Sequence, residues 1–345
     1  MELFAVINKP DNEKRAINSH PLLRRLPEDT AKLCLPFISV LKTGSILDKE
    51  SNENLGCLLD VPRFFLDWDK LDRRKRIKTV GKIAQYLKKS DITVLSFPLV
   101  NLYFTAEETK LLEEHGIAVL DGYCHRLAGM LLVLKQLLSI MSKDVPCFET
   151  GIWGADTDIG RIWVEAMAED VNNMCIDGRD YRELEQLAEH MLRTTGLACQ
   201  ITDRADVCVG NKNIAVLARP AEESFSMPRR SFLFHSYEYQ YNMQHLLHVP
   251  DQLQGVYNID MGWLGFPHDI DIIPPQDTYD ELGILEGLFY TASRVYRENI
   301  HKSRLTFSQI KRLQSIYDIY PLKLMGFGWL GRKTSFDRFR RKYFE

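Results

Sequence analysis

The sequence predicts an α/β fold in two domains, and three observations carry that expectation. Strand-like and helix-like segments alternate along most of the chain, the pattern that builds a parallel sheet covered by helices. A glycine-bounded turn, Gly154-Ala155-Asp156-Thr157-Asp158-Ile159-Gly160, falls between a predicted strand and a predicted helix. The length of 345 residues suits two domains rather than one.

Each element follows from a local pattern. Arg76–Lys89 places Ile77, Val80, Ile83, Ala84 and Leu87 on one helical face. Ile92–Phe97 is a short β-type run, Thr105–His115 a helix, and Ile117–Leu120 a strand that ends at Asp121-Gly122. A long apolar helix is expected from Tyr123 to Met141, and Ser142–Pro146 reads as a linker. A strand beginning near Cys147 then runs into Gly151-Ile152-Trp153-Gly154, followed by a helix over Ile159–Met167 and a strand over Met174–Ile176. A helix over Tyr181–Arg193 and strands near Ala198–Ile201 and Asp206–Val209 complete this section. From Asp280 onward the pattern is helical, ending in the basic tail Arg332–Lys342.

Composition narrows the class of protein. With 45% hydrophobic and 26% charged residues the chain is globular. A net charge of −3 lacks the basic excess of a general nucleic-acid binder, so no nucleic-acid partner is expected. Met1–Pro10 shows no charged segment followed by an apolar one, so no signal peptide is read and a cytoplasmic location is expected. Leu127–Met141 is interrupted by Lys135 and Gln136 and is too short to span a bilayer, so no transmembrane segment is expected. The seven cysteines form no CxxC pair and suit reduced thiols. Cys147, Cys175, Cys199 and Cys208 lie in apolar runs and read as core.

The turn carries the chemistry. In a dinucleotide fold its glycines let backbone amides approach a pyrophosphate, and the following helix N-terminus offers its dipole to the anion. Asp177 closes the next strand about 20 residues on, where a ribose hydroxyl acceptor belongs. The expected architecture is therefore a Rossmann-type NAD(P)-binding domain over 146–275. An N-terminal α/β substrate and cleft domain precedes it over 1–141, and a C-terminal helical segment with a basic tail follows over 276–345 and packs back. Gly154, Ala155, Thr157, Ile159, Gly160, Asp177 and Arg179 are the candidate cofactor-binding residues for NADP or NAD, with Arg179 placed to answer a 2′-phosphate. Two features oppose this reading: Thr157 stands where the middle glycine is expected, and Asp156 brings a carboxylate beside the phosphate. The alternative is a retained fold that has lost its cofactor and acts by binding a partner.

The same turn resembles the GATGDIG turn of the fatty-aldehyde-forming long-chain acyl-carrier-protein reductases. Val61-Pro62-Arg63, the helix–strand series from Val80 to Leu120, and Leu305–Ile310 followed by Leu322–Phe327 are similar in order to that family's segments. More remotely, the two-domain layout resembles the shikimate dehydrogenases. The resemblance implies an NAD(P)-dependent oxidoreductase acting on a carbonyl or acyl substrate, small or carrier-bound. It departs at the nucleophile, because the stretch Ser231–Tyr239 that corresponds to the family's cysteine-bearing strand contains no cysteine.

Candidate catalytic groups must then come from elsewhere. Asp121 ends a strand, where a carboxylate faces the ligand side of an α/β sheet. Cys124 opens a helix whose N-terminus favours thiolate, although the adjacent His125 points in another direction and is not automatically its base. His235 and Tyr237, alternating with Tyr239 and Tyr241, could donate a proton to a carbonyl or simply line one strand face. His245, His248, His268, Asp269 and Asp271 match no metal spacing, and no metal is expected. The tail cations Arg332, Lys333, Arg338, Arg340, Arg341 and Lys342, interleaved with Phe336, Phe339 and Tyr343, would suit an acidic carrier protein or an anionic surface, or end a solvated helix. A homo-oligomer stays open.

Overall fold

Four parallel strands, flanked on one side by two antiparallel ones, form the sheet of the first unit, Met1–Tyr123 with Phe266–Arg297. The computed structural model describes residues 3–8, 13–141, 147–221, 224–237, 253, 255–265, 270–274, 281–300, 305–319, 322–329 and 332–344. The strands are β1 (Leu3–Ile7), β2 (Leu41–Asp48), β3 (Asn54–Asp60), β4 (Ile92–Ser96), β5 (Ala118–Leu120) and β12 (Ile270–Ile273), in the order β12-β2-β3-β1-β4-β5. Val6 of β1 lies opposite Leu58 of β3 and Ser96 of β4. Because β1 is covered on both faces, Phe4, Ala5, Val6 and Ile7 are all buried, as an unbroken apolar run in a parallel sheet requires.

Helices cover this sheet for legible reasons. Arg73–Lys89 starts three residues before the predicted helix, because Asp72 accepts the Lys75 N–H at 2.9 Å and caps it. Ala106–Glu114 begins with a capping box formed by Thr105 and Glu108. The helix Glu281–Ala292 lies directly on the sheet, and a Cβ at Gly287 would stand 2.2 Å from Phe4 Cδ2.

The second unit, Cys124–Gly265 with Glu298–Glu345, holds an eight-stranded sheet. Its strands are β6 (Glu149–Trp153), β7 (Asn173–Asp177), β8 (Cys199–Ile201), β9 (Ile214–Leu217), β10 (Phe232–His235), β11 (Tyr257–Leu264), β13 (Leu324–Trp329) and β14 (Arg332–Ser335). They run in the order β14-β13-β11-β10-β9-β6-β7-β8. The strands β6 to β11 are parallel, and β13 and β14 add antiparallel strands at one edge. Counted from β6, the parallel strands stand in the order 3-2-1-4-5-6, that of the Rossmann doubly wound sheet. The chain changes direction between β6 and β9, so the crevice beyond their carboxyl ends is where such a sheet takes a ligand.

The structure corrects several expectations. Asp206–Val209 is not a strand: Ala205–Cys208 forms a helical turn, and the strand is Ile214–Leu217. The segment read as helical from Asp280 contributes Glu281–Ala292 to the first unit, and it supplies the second unit with two strands as well as helices. The basic tail is part strand and part helix, and Phe339 of the helix Phe336–Phe344 is buried against Phe232, Tyr257 and Phe327. Its aromatic spacing thus anchors the helix to the sheet, while Arg338, Arg340, Arg341 and Lys342 are exposed. Cys175 and Cys208 are buried and Cys199 partly so, but Cys147 is exposed and is not core. The linker Ser142–Pro146, the residues Tyr239, Tyr241, His245, His248, His268 and Asp269, and Met1 and Glu2 lie outside the described residues. Among the described residues, no helix is long and apolar enough to cross a membrane.

Two glycines in regular elements should respond oppositely to alanine. A Cβ at Gly151 in β6 would lie 1.8 Å from the Cys208 carbonyl, whereas one at Gly81 in the helix Arg73–Lys89 meets nothing within 4 Å. Gly151→Ala should lower stability by about 1–3 kcal/mol or more through overpacking. Gly81→Ala should raise it by about 0.5–1 kcal/mol through helix propensity. Thermal and urea unfolding of the two variants would check the signs.

Candidate functional site

The turn after β6 is built on two close backbone approaches. Gly154 sits at φ +90°, a region glycine enters without strain, and a Cβ there would meet Arg219 Cγ at 2.9 Å. At Gly160 a Cβ would lie 2.1 Å from the Gly154 carbonyl oxygen and 2.6 Å from Ala155 Cα. The helix Asp158–Met167 is therefore drawn onto the end of the strand, the packing that the last glycine of a dinucleotide turn permits. The Gly154 and Ala155 amides both donate to the Asp177 carbonyl, at 3.1 and 2.6 Å, tying the turn to the end of β7.

Thr157 is the N-cap of that helix. Its hydroxyl donates to the Gly154 carbonyl at 2.7 Å and accepts the Gly160 N–H at 3.0 Å. A side chain thus occupies one amide that an anion would otherwise address. Asp158 opens the helix where a negative charge suits the dipole, and Ile159 is half-buried in its first turn.

The two acidic residues beside the turn are held by different partners. Asp156 reaches across Gly178, where a Cβ would come within 2.7 Å of its carboxyl carbon. Its Oδ2 accepts the Arg179 N–H at 2.7 Å and the Asp180 N–H at 3.3 Å. Asp177 is buried at 1% exposure and forms an ion pair with Arg219, whose guanidinium lies 4.9 Å from the centre of the Trp153 ring. Burial raises the Asp177 carboxyl above its ordinary value, Arg219 opposes this, and the Asp156 charge adds to the rise. Arg219 was not among the sequence candidates. It follows β9, and reading Asp206–Val209 as the strand concealed that it stands at a strand end.

A second polar group lies at the ends of β10 and β11. His235 Nε2 is 3.0 Å from Asn258 Oδ1, and the Asn258 Nδ2 donates to the Val256 carbonyl at 3.3 Å. That second bond fixes the amide so that its oxygen faces the imidazole, and Nε2 must carry the proton. Nδ1 is buried with no hydrogen-bond partner among the described residues. Burial lowers the His235 pKa, against the Asn258 bond and the Asp260 charge that raise it. Arg126 donates to the His235 and Tyr237 carbonyls at 2.9 and 3.2 Å, and Trp163 donates to the Ser236 hydroxyl at 2.6 Å. Tyr237 is half-buried, and burial raises its phenol.

The remaining candidates are placed elsewhere. Cys124 is buried, and His125 bonds the Tyr317 hydroxyl through Nδ1 at 2.8 Å, so its ring is committed to the helix Phe307–Ile319. Burial takes the His125 pKa down to about 3. Asp121 belongs to the first unit, where its Oδ1 accepts the Tyr123 N–H at 3.0 Å. Next to it lies a group with no motif in the sequence. Glu286 accepts the Gly122 N–H at 2.7 Å, the Ser96 hydroxyl at 3.3 Å and the Tyr296 hydroxyl at 3.3 Å. Burial, then the charge of Asp121, pushes Glu286 up to about 8.

No protein-family model and no curated protein matches the chain. Among solved structures, L-tryptophan dehydrogenase from Nostoc punctiforme aligns at 12% identity over 91% of this chain and 87% of its own, with a TM-score of 0.34. The ligand-free 5-ketofructose reductase of Gluconobacter sp. strain CHM43 aligns at 9% identity over 91% of this chain and 98% of its own, with a TM-score of 0.29. Thermococcus litoralis Δ1-pyrroline-2-carboxylate reductase, in complex with NADH and L-proline, aligns at 15% identity and a TM-score of 0.24. That last alignment spans 31% of this chain and only 35% of the reductase. None of the three is a long-chain acyl-carrier-protein reductase.

Glu286 makes a pH-dependent prediction. Its folded-state pKa of about 8 lies above the ordinary 4.5, so the folded chain keeps a proton that the unfolded chain releases. Stability should therefore fall as pH rises between those two values and level off above the higher one. Glu286→Gln removes that slope. The variant should unfold near the wild-type temperature at about pH 5 and several degrees above it at about pH 9. Parallel unfolding profiles of the two proteins across that range would refute the assignment.

Proposed function

We propose that the second unit binds a nicotinamide dinucleotide and that the protein is an NAD(P)-dependent oxidoreductase acting on a carbonyl or acyl substrate. The observation that carries this reading is the 3-2-1-4-5-6 strand order with the Gly154 turn at its switch point, closed by the contact of Gly160 with Gly154. Gly154, Ala155 and Gly160 would admit the pyrophosphate. The dinucleotide would supply the hydride. His235 and Tyr237, at the end of β10 in the same sheet, are the groups proposed to meet the reacting carbonyl. Tyr237 keeps its proton at neutral pH because burial raises its phenol, whereas His235 Nδ1 can only accept.

An acyl-enzyme route through Cys124 has less support. The thiol is buried, and the neighbouring imidazole is turned to Tyr317. Direct hydride transfer needs no such nucleophile. A carrier-bound substrate and an acidic carrier protein remain proposals suggested by the reductase-like motifs and by the exposed cations of the helix Phe336–Phe344.

One feature favours the accessory reading, a partner-binding protein that has lost its cofactor. The Thr157 hydroxyl already satisfies the Gly160 amide, which reduces what the turn can offer to a phosphate. Titration with NADH and NADPH, followed by energy transfer from tryptophan to the nicotinamide, separates the two. The enzyme reading expects saturable micromolar binding of at least one cofactor, abolished in Gly154→Trp and in Gly160→Val while unfolding shows both variants folded. No binding of either cofactor up to millimolar concentration would overturn it in favour of the accessory protein.

A further inference from the structure

In a dinucleotide-binding sheet, the acid that closes the second strand accepts the adenosine ribose hydroxyls and disfavours a 2′-phosphate. Asp177 occupies that position here, but its side chain is not available for the task. It is 1% exposed and ion-paired with Arg219, which is itself packed over the Trp153 ring. Releasing Asp177 toward a ribose would leave the Arg219 charge without its partner.

A second carboxylate stands beside the same loop. Asp156 projects from the glycine turn over Gly178, a position where any side chain would collide with it. Oδ2 accepts the Arg179 and Asp180 amides, and Oδ1 is buried against Gly178 with no hydrogen-bond partner among the described residues. The loop amides that could hold a 2′-phosphate are thus already taken by a negative charge. A ribose hydroxyl would add no charge beside that carboxylate. A 2′-phosphate would instead bring about 1.5–2 further negative charges at neutral pH against this carboxylate, with Asp177 close behind.

Resting on the dinucleotide reading above, we propose that Asp156, in place of the strand-end acid, is the residue that excludes a 2′-phosphate on the adenosine ribose, so that the protein is selective for NAD over NADP. Arg179, which the sequence offers as a 2′-phosphate ligand, contributes its backbone amide to hold Asp156 in place.

The test measures dissociation constants of NADH and NADPH by tryptophan-to-nicotinamide energy transfer for the wild type and for Asp156→Asn. Competition of NADH by AMP and by adenosine 2′,5′-bisphosphate on the wild type alone serves as the second measurement. The expected result is at least about tenfold tighter binding of NADH than NADPH, with AMP competing better than the bisphosphate. In Asp156→Asn the preference should shrink about tenfold or more, through tighter NADPH binding. If the wild type binds NADPH as tightly as NADH, or if a folded Asp156→Asn keeps the full preference, Asp156 is not the selector while the dinucleotide reading stands. If neither cofactor nor either fragment binds, the dinucleotide reading fails and this inference with it. Should Asp156→Asn not fold, the fragment competition decides: equal competition by the two nucleotides overturns the proposal.

Discussion

The second unit depends on how closely the start of one helix can approach the end of one strand. Gly160 lies so near the Gly154 carbonyl that even a methyl group would have to pass through backbone. That approach places Thr157 at the cap, aims the Asp158–Met167 helix along the sheet, and leaves the Gly154 and Ala155 amides directed at the Asp177 carbonyl. The end of β7 is thereby fixed relative to β6, and Arg219 from β9 can bridge to the Asp177 side chain across Trp153. Three neighbouring strand ends are locked by one steric permission and the polar bonds it allows. A ligand bound there would find a site with its geometry already set, which lowers the entropy lost on binding.

The two units share an electrostatic device. In each, the strand beside the first one ends in a buried aspartate held by an arginine. Asp60 of β3 takes two hydrogen bonds from Arg15, at 2.9 and 3.0 Å, and Asp177 of β7 takes Arg219. In each, a further carboxyl group stands in the neighbourhood of backbone amides: Glu286 at Gly122 in the first unit, Asp156 at Arg179 and Asp180 in the second. The paired aspartates are structural charges, since truncating either partner would strand the other in a poorly solvated place. The amide-bound carboxyls are the adjustable ones. Glu286 is neutralised by its burial and by Asp121. Asp156 is half-buried, with Oδ2 on the loop amides.

Periodicity made the helices and most strands legible, because those segments bury one face or two and their apolar spacing follows. The glycine turn and the strand-end Asp177 were legible for the same reason, as backbone geometry restricts which residues can stand there. What could not be read was direction. Nothing in the order Gly154-Ala155-Asp156 says that the carboxylate crosses Gly178 to another loop, since that contact joins residues 22 or more apart in sequence. Arg219 was hidden by a local error: Val207 and Val209 carry strand propensity, but the backbone there turns helically and its N–H groups bond back to Arg204 and Ala205. The edge strand β14 was hidden among basic residues, whereas β13 was expected only from the similarity of Leu322–Phe327 to a closing strand. Glu286 sits in an apolar helix, and only the fold brings Gly122 and Ser96 to it.

Burial also decides which of the reactive residues can do proton chemistry. The histidine signals in the sequence, His125 and His235, are both buried and both depressed below the ordinary imidazole value. Their bonds then fix what remains. His125 is buried and engaged by Tyr317, and His235 gives its single proton to Asn258, so His235 has none left for a carbonyl oxygen. Tyr237 follows His235 by two residues, its carbonyl is held by Arg126, and burial keeps its phenol protonated. A reductase built on this sheet would therefore draw its proton from the tyrosine and use the histidine to hold the end of β10 against β11. That division of roles would suit a carbonyl reduction by direct hydride transfer.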